Sequence, residues 1–123
     1  MRHHGHHTEA TQRLALLLVE ENPDRALQLA RQAIRFQGGS DALDTLGRVH
    51  LQRGEIDKAT GHFERSLELR PDSASTHFWL GQARSASGDT EAARSEFLEA
   101  LESPSFPERE QARAALANLN SGT

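Results

Sequence analysis

Histidine is the side chain best placed to move protons or hold a metal near neutral pH, and this 123-residue chain carries seven. Four crowd its start, as His3, His4, His6 and His7. A tract of this kind can bind a metal weakly, yet no carboxylate or further His stands beside it at ligand spacing. Residues 1–7 are therefore read as an unstructured His-rich tail or a purification-tag remnant, with no metal site. His50, His62 and His77 are expected on different helices and different faces, as packing or surface residues. The only Lys is Lys58, and the absence of Cys removes disulfides, thiolate nucleophiles and thiolate-bound metals. There is no Gly-rich phosphate loop, no His-Glu-x-x-His and no Gly-x-Ser-x-Gly. No nucleophile, base and orienting acid can be assembled from spacing, so neither catalysis nor a cofactor is expected.

Charge and hydropathy narrow the partners. Fourteen Lys and Arg against 18 Asp and Glu leave a net charge of −4, and an acidic chain repels a polyanion, which argues against nucleic acid. The longest apolar run, Leu14 to Val19, is far below the roughly 20 residues that cross a bilayer. It is also shorter than the roughly 7–15-residue apolar core of a signal peptide, and Glu20 and Glu21 follow it. No direct membrane insertion is expected, and cytoplasm and periplasm remain equally open.

Any functional side chain here must be positioned by a repeat. Sliding the chain along itself by 34 residues superposes Leu46 on Leu80, Gly47 on Gly81, Gly54 on Gly88 and Ala59 on Ala93. Phe63 falls on Phe97, Leu67 on Leu101 and Glu68 on Glu102. All but the last are Gly or apolar positions, as a packing constraint requires. Each unit parses as two helices. The first spans about 40–53, with Ser40 placed to cap it and Gly54 to break it. The second spans about 56–69, where Ile56, Ala59, Thr60, Phe63, Ser66 and Leu67 recur at helical spacing and Pro71 closes the unit. In the next unit Ser73 is the better cap. Gly47 and Ala59 leave room for two backbones to approach, and Phe63 fills the space beside them.

These residues resemble the tetratricopeptide repeat. Residues 40–73 supply Leu43, Leu46-Gly47, Ala59, Phe63, Ser66 and Pro71 at the family's spacing. Residues 74–107 supply Leu80-Gly81, Ala93, Phe97 and Ala100, with the closing Pro displaced to Pro104 or Pro107. His50 and Arg84 stand where the family usually has Tyr, which makes the seam between the helices more polar. Residues 8–39 look like a degenerate copy, with Asn22-Pro23 opening its second helix and Ala26, Ala30 and Ala33 in the places of Ala59, Phe63 and Ser66. Residues 108–119 follow as a capping helix with an Ala112, Ala115, Leu116, Leu119 stripe, and 120–123 as a disordered tail. The resemblance implies an all-α, right-handed α-solenoid of about three helix pairs plus a cap, seven helices in all. The stretch from Gly88-Asp89 to Leu119 also resembles the closing segment of bacterial repeat proteins associated with exopolysaccharide export and exosortase systems.

The resemblance further implies a non-catalytic module that binds a protein or peptide segment in a concave groove, lined by fixed positions of each first helix. Carried over, those positions are Asp41, Asp44, Arg48, Leu51 and Gln52 in one unit, and Ser75, Phe78, Gln82, Ser85 and Ala86 in the next. The degenerate unit adds Glu9, Gln12, Leu16, Val19 and Glu20. Leu16, Val19, Leu51 and Phe78 would form a broken apolar strip beside an acidic rim, suited to an apolar segment with basic flanks. Each of Leu51 and Val19 fits packing between units equally well. Family members that grip the carboxylate end of chaperones resemble one another in a Lys, Asn and Arg clamp. Arg48 and Gln82 stand at the ninth positions here and no inner helix carries Lys, so that mode is not expected. The other reading comes from Leu14, Leu16, Leu17, Leu18 and Val19, which encircle the first helix. Something should cover it, and a second copy of the chain would make the protein a self-associating scaffold.

Overall fold

The computed structural model describes residues 3–36 and 39–121. Seven α-helices occupy them, and there is no strand among the described residues. They are α1 (His3–Leu18), α2 (Pro23–Phe36), α3 (Gly39–Gln52), α4 (Ile56–Leu69), α5 (Ala74–Ala86), α6 (Thr90–Leu101) and α7 (Arg109–Ser121). The architecture is an all-α helical-repeat solenoid, in which α1 packs on α2, α3 on α4, α5 on α6, and α7 on α6.

Local signals set the helix ends. Asn22 Oδ1 accepts from the Arg25 amide at 3.2 Å and Pro23 occupies the first turn of α2, where no backbone donor is needed. Ser73 accepts from the Thr76 amide at the start of α5, and Asp89 from the Ala92 amide at the start of α6. Gly54 and Gly88, with φ of 82° and 87°, turn the chain through the left-handed region after α3 and α5. Two ends differ from the expected tails. α1 is already helical at His3, because the His-rich stretch contains no proline and Gly5 alone does not interrupt it; α7 continues to Ser121. Met1 and Arg2, and residues 122 and 123, lie outside the described residues, as do the side chains of His3, His4, His6, His7 and Glu9.

The core is linear. Ala15, Ala26, Leu29, Ala30, Leu46 and Val49 form one cluster, so α3 closes the α1–α2 pair. Ala59, Phe63, Leu80 and Ala83 form a second, in which α5 closes the next pair. Phe78, Ala93, Phe97, Ala100 and Ala112 form the third, closed by α7. The small residues are sterically required: a Cβ on Gly47 would lie 2.6 Å from Phe63 Cε1, and one on Gly81 would lie 2.6 Å from Phe97 Cε1. Nothing among the described residues stacks on the other side of α1. Leu14 is accordingly 43% exposed, whereas its counterpart Leu46 is 5% exposed.

Candidate functional site

Successive first helices touch, α1 with α3 and α3 with α5, while successive second helices make no comparable contact. The stack therefore curves toward the first helices, which line its inner side. There an open depression of about 220 Å³ is lined by Gln12 of α1, by Asp41, Asp44, Thr45 and Arg48 of α3, by Ser75 and Trp79 of α5, and by Glu108 of the turn before α7.

Its floor is an Arg–Trp stack: Arg48 Cζ sits 4.2 Å from the centroid of the Trp79 ring. Phe78 meets Trp79 edge-on, with ring centroids 4.9 Å apart, and so fixes the plane of the indole. Burial pulls the Arg48 guanidinium below the usual arginine range, while Glu108 and Asp44 act to restore it. Hydroxyl donors hold the carboxylates. Thr76 Oγ1 donates to Asp44 Oδ2 at 2.8 Å, and Ser75 Oγ donates to Glu108 Oε1 at 2.7 Å. Burial pushes the Asp44 carboxyl up, against the hydroxyls of Ser66 and Thr76, which favour its charged form. Asp41 stays exposed, with Arg70 Nη1 3.5 Å from its Oδ1. Three carboxylates thus line the depression with one guanidinium, whose face is already occupied by an indole.

Asp41, Asp44 and Arg48 of the expected groove residues come together here, with Gln12 and Ser75. The apolar strip does not form. Phe78 is 1% exposed and packs with Phe97 and Ala112, because α7 takes the place of a further first helix and covers this position. Leu51 packs against the Phe63 cluster and Val19 against the Ala15 cluster. Leu16 and Gln82 are half-buried outside the depression, and Gln52 is exposed. Trp79, Thr45 and Glu108 escape the carried-over positions. Thr45 and Trp79 are 34 residues apart and each follows a fifth position by one residue, a 100° step round the helix. The available signal for Trp79 is its proximity to that position as the only Trp of the chain.

The histidines also differ from expectation. His50 and His62 are brought together as stacked rings, with centroids 5.2 Å apart at 14°. They meet because α3 and α4 pack antiparallel around the three-residue turn 53–55. His50 Nδ1 lies 2.7 Å from Glu55 Oε1, and the same carboxylate binds Arg53, whose Nη1 reaches Asp24 on α2. His77 stands apart, with Nδ1 2.7 Å from Glu96 Oε1 and Nε2 2.9 Å from the Pro71 carbonyl. Among the described residues, no group of three or more His, Asp or Glu is arranged to hold a metal.

The family model of the tetratricopeptide repeat matches residues 45–112. The chain belongs to the tetratricopeptide repeat family. Its fold is shared with the first tetratricopeptide repeat of Spaghetti (RPAP3) bound to the HSP90 peptide SRMEEVD, with a TM-score of 0.79 and 13% identity over 95% of this chain and 93% of that one. It is shared also with MamA, with a TM-score of 0.75 and 17% identity over 94% of this chain and 67% of that one. No described helix of this tetratricopeptide repeat protein is long and apolar enough to cross a membrane.

Proposed function

We propose that the protein is a non-catalytic interaction module whose inner depression receives a basic segment of a partner protein. The observation that carries this is the charge of the lining: Asp41, Asp44 and Glu108 around Arg48, the only cation among them. An incoming Lys or Arg meets the exposed Asp41 carboxylate, with half-buried Asp44 and Glu108 beside it, and its alkyl stem can lie along the Trp79 edge. The neighbour's peptide SRMEEVD has two Glu and one Asp against one Arg. Such a segment is repelled by this lining, which fits the lack of a Lys-based clamp.

Trp79 is the chain's only Trp, so its fluorescence reports on the site alone. Titration with a short Arg- and Lys-rich peptide should change the emission saturably, and added salt should weaken the effect. SRMEEVD should leave it unchanged. The double variant Asp41→Asn, Glu108→Gln should weaken basic-peptide binding by roughly 2- to 30-fold, from about 0.2–1 kcal/mol for each exposed ion pair. Equal response to the acidic peptide, or no loss in the double variant, would sink the reading.

Leu17, 76% exposed on α1 beside Leu14, favours a second reading, self-association through the open end of the stack. Light scattering at high concentration tests it: a dimer that Leu17→Glu converts to monomer supports it, and a wild-type monomer rejects it.

A further inference from the structure

The stacked histidines belong to a chain of contacts that crosses from one helix pair to the next. His62 on α4 stacks on His50 of α3, His50 meets Glu55, Glu55 holds Arg53, and Arg53 reaches Asp24 on α2. We propose that this chain is an acid-operated joint: protonating both rings parts α3 from α4 beside the turn 53–55, and so loosens the Arg53 link that ties the second helix pair to the first. The inference does not depend on what the groove binds.

The two rings have different charged surroundings. His50 is 3% exposed, and its Nδ1 faces a carboxylate that can match a charge on that ring. His62 has no such partner, since its Nδ1 is sealed from solvent without a hydrogen bond. The other charged groups near it are cations, Arg65 on α4 and Arg31 on α2. On α5, Arg84 is bound to Glu64, two residues from His62 and on another side of α4. Protons on both rings therefore set two imidazolium groups face to face, with Arg65 and Arg31 beside them. Burial first, then His50, Arg65 and Arg31, hold His62 below the ordinary imidazole value. Glu55 does not blur the response: Arg53 first, and then His50, lower its carboxyl to about 2, so it stays charged throughout the range where imidazoles titrate.

The sign follows from linkage. A base whose folded value is depressed binds its proton more readily in the opened state. The joint is stable above the free value of about 6.5 and weakens as pH falls below it toward the folded value. Hydrogen exchange, corrected for intrinsic rates, is compared at about pH 7.5 and about pH 5. In the wild type, α2, the end of α3 and the start of α4 should lose protection by roughly fivefold or more at the lower pH, while α6 and α7 lose none; that factor is about 1 kcal/mol at RT of roughly 0.6 kcal/mol. His62→Gln, which keeps size and polarity but cannot titrate, should abolish that difference. Loss spread evenly over all helices, or retained in His62→Gln, overturns the joint. Should that variant fold poorly, NMR titration of the wild-type imidazole protons decides: His62 must titrate below about 6.5, and a midpoint at or above it overturns the proposal.

Discussion

The two central helix pairs, α3–α4 and α5–α6, are built on one frame and carry different chemistry. Gly47 against Phe63 and Gly81 against Phe97 repeat the same contact to a tenth of an ångström, 2.6 Å from an added Cβ to the ring in both. Gly54 and Gly88 repeat the same left-handed turn. Between these fixed points the residues at matching positions diverge. Asp44 is replaced by Phe78, Thr45 by Trp79, Arg48 by Gln82, His50 by Arg84, His62 by Glu96 and Ser66 by Ala100. The frame repeats because the contact inside a pair is the same wherever the pair stands. The other positions face whatever stacks next, and that differs: α5 covers the first pair, α7 the second. Asp44 consequently meets a hydroxyl of α5, while Phe78 meets the alanine of a cap.

The strongest way to break the comparison is to remove its shared element. Phe63 and Phe97 are both fully buried, each against a Gly that cannot collapse far into the space left. Phe63→Ala and Phe97→Ala should each cost about 3–5 kcal/mol in urea unfolding, the range for a buried aromatic truncated in a close-packed core. The Phe97 variant should be the costlier, because its ring also supports Phe78 at 5.9 Å, which in turn orients Trp79. It should therefore perturb Trp79 emission in the native state, and the Phe63 variant should not. A loss under about 1 kcal/mol at either site would show that the two pairs do not share the frame.

What was legible in the sequence divides along the same line. Leu46, Gly47, Ala59 and Phe63 announce themselves at a spacing of 34, because contacts within a pair are local and identical in each copy. The depression was half legible: Asp41, Asp44 and Arg48, three of the carried-over positions, line it. The choice between Phe78 and Trp79 was not. Both are apolar neighbours on one helix, and the decision belongs to α7, some thirty residues away and outside the repeat. The His50–His62 stack escaped for a related reason. Helical spacing assigns each ring a direction on its own helix, but the turn at Arg53–Glu55 determines how the two helices face each other.

A smaller effect sharpens the contrast through pH. In the second central pair, Glu96 stands where His62 stands in the first, and its partner His77 takes the place of Leu43. The Glu96 carboxylate raises the His77 value, burial opposes it, and the Pro71 carbonyl adds to the rise. A base whose folded value is raised contributes stability that is fully present below the free value of about 6.5 and fades as pH climbs through the folded one. This is the reverse of His62, so the same fold should hold one helix pair more tightly in acid and its neighbour less tightly. Glu96→Gln should destabilise by a few tenths to about 1 kcal/mol at about pH 5.5 and by less at about pH 8.5, with the urea midpoint as the measure. If the deficit is the same at both values, the pair acts by packing alone. The opposition between the two histidine sites would then rest on His62 only.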